Sequence, residues 1–313
     1  MKHAFIKQLS ILLTLVIVSL SAKAQSAANA KNQYAEINGV KIAYRSLGKG
    51  TPILLANRMR GTLDTWDPLF LDELAKTNRV IYFDYPGIGY SSGVLPDNFS
   101  DVAKVVNEFA KALKLDKVTM AGWSWGGYVS QTMVLEYPER VAQAVLIGTN
   151  PPGDAEFPVQ QRWVERALKP INSLEDEEIL FFEANSAQSR QAAKASHERI
   201  YAREGVVDKI PATMELFQMY LKGHEKFRED KENRKEQLTR TQIPMLIVCG
   251  DNDLSVPVQN WYPMIGKIPN GQLVVFPHSG HGPQHEFPEL SARYIAEFIK
   301  GTNLKQNSAL SVK

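Results

Sequence analysis

The stretch that most constrains this 313-residue chain is Gly122-Trp123-Ser124-Trp125-Gly126-Gly127. A short apolar run, Val118 to Ala121, leads into it, and a helix-forming run, Tyr128 to Tyr137, leads out. That context reads as strand, sharp turn, helix, with a serine at the apex. Flanking glycines let the backbone take the strained turn and hold the hydroxyl clear of the sheet, the nucleophile-elbow pattern. The pattern alone is not specific, and Gly89-Tyr90-Ser91-Ser92-Gly93 also fits it. That copy follows a strand-like run, Val80 to Asp84, but leads into Val94-Leu95-Pro96-Asp97, a turn-like segment with no helix start. Context therefore selects Ser124 over Ser91.

The first residues read as a targeting segment. Lys2 and Lys7 give a basic start, Leu9 to Leu20 is apolar, and Ala22-Lys23-Ala24 is a small-x-small cleavage site. Residues 1–24 are expected to be a secretory signal peptide, too short for a comfortable membrane span; the alternative is an uncleaved anchor. Its removal takes Lys2, Lys7 and Lys23 and no acid, so the formal charge falls from +2 to about −1. The expected location is exported, periplasmic or secreted, with no stable membrane span after cleavage. Nothing basic and aromatic interleaves as nucleic-acid binding requires. The sole cysteine, Cys249, sits in the apolar run Met245 to Cys249 and reads as a small buried strand residue. No metal-ligand spacing occurs among His, Cys, Asp and Glu, and no cofactor is implied.

Residues 25–33 are small and polar and read as a mobile linker. Tyr34–Ile37 and Lys41–Ser46 read as a hairpin across Asn38-Gly39. Apolar strands at Ile53–Ala56, Arg79–Phe83, Val118–Ala121 and Val141–Ile147 alternate with helices at Trp66–Lys76 and Val102–Leu113. Strands apolar throughout, alternating with helices, argue for a parallel sheet covered on both faces. The alternation stops near Asn150. Residues 151–241 contain no convincing strand and carry helical segments near 158–168, 174–184, 189–203 and 212–227, which suggests a lid. Strand-like runs resume at Met245–Cys249 and Leu273–Phe276, and a last helix spans about Glu289 to Lys300. Residues 301–313 read as a frayed polar tail.

A serine hydroxyl needs an adjacent base. His3 lies in the leader, and His197 and His224 lie among charged residues of the insert and read as surface positions. His278, His281 and His285 cluster after the last strand. His281, in Ser279-Gly280-His281-Gly282-Pro283, sits in a loop able to return an imidazole over the strand ends, and is the candidate base. The imidazole in turn needs a carboxylate. Asp251 and Asp253 both follow the strand ending at Cys249-Gly250, and spacing alone leaves both open.

The order Ser124…Asp…His281 is similar to the chain order of the α/β-hydrolase fold superfamily. The resemblance covers roughly residues 34–300. It is carried by Trp66-Asp67-Pro68, Asp84-Tyr85-Pro86-Gly87-Ile88-Gly89-Tyr90-Ser91, the elbow with Gly127, Tyr137-Pro138-Glu139-Arg140-Val141, Gly250-x-x-Asp253 and Gly280-His281. It implies a mostly parallel eight-stranded sheet with helices on both faces, a core of residues 34–150 and 242–300, and an inserted all-helical cap, 151–241. It points to Asp253 over Asp251, because the acid of such loops stands three residues after the glycine. It places Ser91 in a structural loop. After the third strand the family usually has His-Gly followed by a residue whose amide helps bind an oxyanion; Asn57, Arg58 and Met59 stand there. The implied oxyanion donors are the amides of Met59 and Trp125. Arg58 and Arg60 are expected to pair with acids, and the alternative is that one reaches a carboxylate on a substrate.

The resemblance implies acyl transfer by a catalytic triad of Ser124, His281 and Asp253 on a small-molecule acyl substrate. Trp123 and Trp125 flank the serine and are candidates for narrowing the pocket, with strand packing the alternative for Trp123. In the insert, Trp163, Phe181, Phe182, Met214, Phe217, Met219 and Tyr220 are candidates for an apolar pocket or for holding the lid together. The candidate substrate-pocket set is Trp123, Arg58, Phe181, Phe217 and Tyr220. The expected activity is an exported carboxylesterase acting on small hydrophobic esters or lactones. Alternatives are a proline-type aminopeptidase, a C–C bond hydrolase or a haloperoxidase-like activity on the same triad. A non-catalytic binding protein is the reading from another class, motivated by Asn57-Arg58.

Overall fold

The computed structural model describes residues 26–311; the leader read at residues 1–24 lies outside them. Eight strands form one sheet: β1 (Gln33–Ile37), β2 (Val40–Leu47), β3 (Thr51–Ala56), β4 (Asn78–Phe83), β5 (Val118–Trp123), β6 (Val141–Ile147), β7 (Met245–Gly250) and β8 (Gly271–Phe276). Their order is β1-β2-β4-β3-β5-β6-β7-β8. β1 and β2 are antiparallel to their neighbours, and the rest run parallel. The hairpin forms where its turn dictates: Ile37 pairs with Val40, and Asn38 and Gly39 both take positive φ, as a two-residue turn between twisted strands requires.

Helices α1 (Pro68–Ala75), α2 (Phe99–Ala112) and α3 (Trp125–Glu136) cross between the core strands. The strand period decides which face each side chain serves. Met120 of β5 packs in the cluster with Phe99, Val106 and Val129 of α2 and α3. Ala121 and Trp123 point the other way, into the cluster with Trp66, Phe70 and Leu71 of α1 and its approach. Asp67 caps α1 by accepting from Leu69 N at 2.9 Å, and Pro68 takes the first helical position.

Between β6 and β7 the chain is helical: α4 (Gln161–Ala167), α5 (Leu174–Phe181), α6 (Ala187–Tyr201), α7 (Val206–Lys209), α8 (Met214–Glu229) and α9 (Arg234–Leu238). Arginines fasten this cap to the core, Arg199 and Arg60 among them. Arg199 of α6 grips Asp67 with two bonds, at 2.8 and 2.6 Å. Arg60, buried and with φ +62°, reaches up from the loop after β3. It donates to the carbonyls of Pro211, Ala167, Lys169 and Pro170 and to Asn172 Oδ1, at 2.6–3.0 Å, and stacks on Phe217. The expected acid partner is therefore absent. Carbonyls left over at the end of α4 and in the following turn take its place, since unpaired carbonyls at a helix C-terminus attract a cation. Burial lowers the Arg60 pKa to about 10.

Two expectations at the ends of the core are corrected. Residues 26–30 are docked: Ala27 and Ala30 are buried, Ala27 N donates to Asp72 Oδ1 at 2.7 Å, and Arg203 of the cap donates to the carbonyls of Ala27, Ala28 and Ala30. Small side chains fit the crevice that these polar groups line. After a short turn of helix, α10 (Pro283–Glu286), the last helix, α11 (Pro288–Ser311), passes the expected end at Lys300. Beyond it Thr302 is buried, and Asn303 Nδ2 donates to Thr51 Oγ1 at 3.2 Å. Among the described residues no helix is long and apolar enough to cross a membrane.

Arg60→Met leaves four cap carbonyls without their donor. It is expected to lower the unfolding free energy by about 2–4 kcal/mol and to speed proteolysis within 151–241. Arg60→Lys should recover only part, because one ammonium cannot replace the planar fork. Denaturant titration and limited digestion read both effects, and unchanged stability in Arg60→Met would refute the pin.

His285 lies between Trp66 and Trp123, and its Nε2 accepts from Asp67 N at 3.2 Å. Burial pushes its pKa down to about 3, against about 6.5 in an unfolded chain. Between these values only the unfolded chain holds the proton. The contribution is thus complete above pH 6.5 and is lost as pH falls below it. His285→Gln keeps an acceptor for Asp67 N and should lose about 1–2 kcal/mol less than wild type between pH 7 and 5. Parallel stability curves for the two proteins would contradict this.

Candidate active site

Ser124 stands between β5 and α3 with φ 55° and ψ −116°, outside the regions a serine prefers. Two glycines make the turn possible. A Cβ at Gly122 would lie 2.0 Å from Gly126 O, and a Cβ at Gly126 would lie 2.1 Å from Ala56 O. Backbone bonds then fix the apex: Ser124 N donates to Ile147 O, and Gly127 N donates to Ser124 O, both at 2.8 Å. Strain of this kind persists only where the surroundings over-determine it.

His281 reaches the same place from the loop after β8. Its Nδ1 donates to Asp253 Oδ2 at 2.7 Å, with both side chains buried. The other Asp253 oxygen accepts from Ser255 N at 2.7 Å and Val256 N at 2.9 Å, so the carboxylate is fixed on both sides. His281 O accepts from Trp123 Nε1 at 2.8 Å, which ties the loop to the strand before the elbow. Asp251 is engaged differently: its Oδ1 accepts from Ser279 N and Asn252 Nδ2. Ser124 and His281 border one small cavity. Among the described residues, Ser124 Oγ has no hydrogen-bond partner.

Met59 borders both this cavity and a larger one at Ser124. Its amide and that of Trp125 donate to no described acceptor. For Trp125 this follows from its place in the first helical turn, where N–H groups lack intrahelical partners and attract negative charge. Asn57, in the place of the usual histidine, is buried and structural: Nδ2 donates to Phe83 O at 2.7 Å, and its carbonyl accepts from Tyr85 OH at 3.0 Å. Ser91 is a bridge, accepting from Ala43 N and donating to Asp84 O, both at 2.9 Å. Cys249 is buried, and burial pushes its thiol pKa well up.

The larger cavity, about 320 Å³, is lined mainly by apolar groups, including Trp125, Tyr128, Trp163, Leu168, Tyr220 and Val256. Tyr220 borders this cavity. Phe181 and Arg58 border the smaller cavity. Trp123 and Phe217 line neither and are corrected. Trp123 faces the opposite side of the sheet by strand alternation and packs against Trp66 and Phe181. Phe217 is turned inward under Arg60. His224 also departs from the surface reading: it borders the larger cavity, 5.4 Å from the Tyr128 ring, and burial lowers its pKa. His197 is half-buried and donates to Glu177 Oε2 at 2.8 Å. The reading of the sequence missed Tyr128, Leu168, His224 and Val256. Tyr128 had a signal, since it lies one turn after Ser124 on the same face of α3.

The chain is similar to known proteins over most of its length. It is 26% identical to a pimeloyl-[acyl-carrier protein] methyl ester esterase of Nitrosomonas europaea, covering 79% of this chain and 95% of that protein. It is 27% identical to a 2-hydroxy-6-oxononadienedioate/2-hydroxy-6-oxononatrienedioate hydrolase of Burkholderia vietnamiensis, covering 71% and 76%. Among solved structures, an alpha/beta hydrolase fold protein from Chitinophaga pinensis superposes with a TM-score of 0.78 at 29% identity, covering 88% of this chain and 98% of the other. The sequence profile described as the alpha/beta hydrolase fold matches residues 51–288. With the eight-stranded, mostly parallel sheet, this match establishes that the chain belongs to the alpha/beta hydrolase fold family.

Proposed function

We propose that the chain is an exported serine carboxylesterase acting on small hydrophobic esters or lactones. The observation that carries the reading is the His281–Asp253 bond of 2.7 Å beside a strained Ser124 that opens on an apolar cavity. Ser124 Oγ attacks the ester carbonyl as His281 Nε2 takes its proton. Asp253 holds the Nδ1–H tautomer and stabilises the imidazolium. The amides of Met59 and Trp125 receive the oxyanion. The leaving alkoxide takes the proton from His281. Water, deprotonated by His281, then releases the acid and restores Ser124. The hydrogen bond between Ser124 Oγ and His281 Nε2 forms when substrate binds, since substrate-free sites often leave such bonds open. Export rests on the leader-like composition of residues 1–24.

C–C bond hydrolysis on the same triad is the second reading. It is favoured by the resemblance to a hydrolase of 2-hydroxy-6-oxo dienedioates. A series of p-nitrophenyl acyl esters against vinylogous 1,5-diketo acids separates the two.

A fluorophosphonate probe should label Ser124, and Ser124→Ala should lose label and at least about 10⁴-fold in kcat. Folded protein that resists the probe, or a Ser124→Ala variant that keeps its rate, would end the proposal.

Asp253→Asn should lower kcat by roughly 10³–10⁴-fold, since the imidazole loses its tautomer. Asp251→Asn should stay within about threefold of wild type, because the Asp251 side chain bonds only Asn252 and Ser279 N. The reverse ranking would reassign the acid.

A further inference from the structure

The buried arginines among the described residues are matched by their surroundings, and the half-buried Arg58 is not. Arg45 faces Asp64 at 2.7 Å, Arg234 meets Glu136 and Glu232, and Arg60 is filled by cap carbonyls. Arg58 has one hydrogen bond, from Nη1 to Met59 O at 2.9 Å, and its Nε is buried with no acceptor. Among the described residues no carboxylate lies within ion-pair reach of it. Glu177 is the carboxylate that partly offsets the desolvation of Arg58, and both Glu177 oxygens are occupied, by Tyr201 OH at 2.6 Å and His197 Nδ1 at 2.8 Å.

The guanidinium is nevertheless held in place. It lies 4.4 Å from the Phe181 ring centroid and 5.2 Å from that of Trp123. Arg58 borders two small cavities: one of about 20 Å³ that Ser124, Met59 and His281 also line and that no acidic side chain borders, and one of about 10 Å³ that Trp123, Tyr201 and Glu177 line. Burial holds its pKa below the usual value. A partly desolvated cation without a counter-charge is costly, and an arginine fork suits a planar carboxylate.

We propose that Arg58 is a specificity-determining residue that binds a carboxylate on the substrate, in the cavity it shares with Ser124 and His281. The inference rests on the serine-hydrolase reading above. The substrate class is then an ester with an apolar part in the large cavity and an acid group close to the scissile carbonyl. That acid belongs either to the acyl half or to the alcohol half.

Matched acid and amide esters test it. Phenyl monoglutarate against phenyl glutaramate places the group on the acyl side. The butanoates of 3-hydroxybenzoate and 3-hydroxybenzamide place it on the leaving-group side. The wild type should favour the acid roughly ten- to hundredfold in kcat/KM in one pair, mainly through KM. Arg58→Met should erase at least tenfold of that ratio, and Arg58→Lys should keep part of it. A purely structural Arg58 would slow acid and amide equally and leave the ratio alone, which overturns the proposal. A wild-type ratio near one in both pairs also overturns it. Should Arg58→Met not fold, the wild type decides: pentanoate should compete with a neutral ester at least about tenfold better than pentanamide, and equal inhibition overturns the proposal. Fluorophosphonate labelling separates the two levels. Unlabelled Ser124 removes the hydrolase reading, whereas labelled Ser124 with no acid preference removes only the role of Arg58.

Discussion

Everything at the site depends on how closely the first turn of α3 approaches the end of β3. Gly126 touches the backbone there so tightly that a Cβ would lie 2.1 Å from Ala56 O and 2.7 Å from Asn57 O. β3 and β5 are parallel neighbours, with Ala56 opposite Gly122. The loop starting at Asn57 and the turn at Ser124 therefore emerge side by side at the carboxyl edge of the sheet, where open α/β sheets place their ligands. The φ of 55° at Ser124 is the local cost of that approach. Bonds to β6 and to Gly127 on either side make any relaxed alternative worse.

The charged groups beneath this edge support it through pairing and desolvation. Asp64, inaccessible to solvent, meets Arg45 at 2.7 Å, Arg203 at 3.4 Å and the Tyr90 hydroxyl at 2.7 Å. Asp84 accepts from Leu63 N and Tyr90 N, and burial still raises its pKa to about 7. Such groups add little net stability over apolar ones, but each is strongly directional. They fix where the loops after β3 and β4 run, and so where Met59 stands relative to Ser124. Apolar packing of the same volume would tolerate a shift that oxyanion geometry does not.

Local pattern made some of this legible in the sequence. Asn38-Gly39 encodes its own turn, the apolar strands encode a buried parallel sheet, and the glycines around Ser124 encode the close approach. His281 could be chosen because glycines flank it in a loop after a strand. Asp253 needed the family resemblance, since Asp251 has the same composition and the same side of the strand. What stayed illegible depends on contacts far apart in sequence. Arg60 finds carbonyls more than a hundred residues away, and no acid in the sequence announces that. Residues 26–30 look like a linker until Arg203, from the cap, collects their carbonyls. His224 sits among charges in the sequence, yet its helix turns it toward Tyr128. Trp123 and Phe217 were sensible pocket residues by composition, and only the strand face and the helix rotation exclude them.

The three residues after Asn57 divide the work among them. Arg58 lies against Phe181 of the cap and Trp123 of the core, Met59 borders both cavities, and Arg60 enters the cap. The peptide between Arg58 and Met59 carries the donor proposed for the oxyanion, so its position is set jointly by a side chain held at the cap–core boundary and one anchored in the cap. Phe181 closes the circuit: its carbonyl accepts from Gly282 N at 2.7 Å, next to His281, while its ring covers Arg58. A displaced cap would therefore move the loop after β3 and the loop that carries His281 together. In this chain the cap does more than cover a pocket, because the geometry around Ser124 is completed through it. Replacing the common His-Gly with Asn57-Arg58 is consistent with that arrangement: a glycine has no side chain to carry the coupling, and an arginine does.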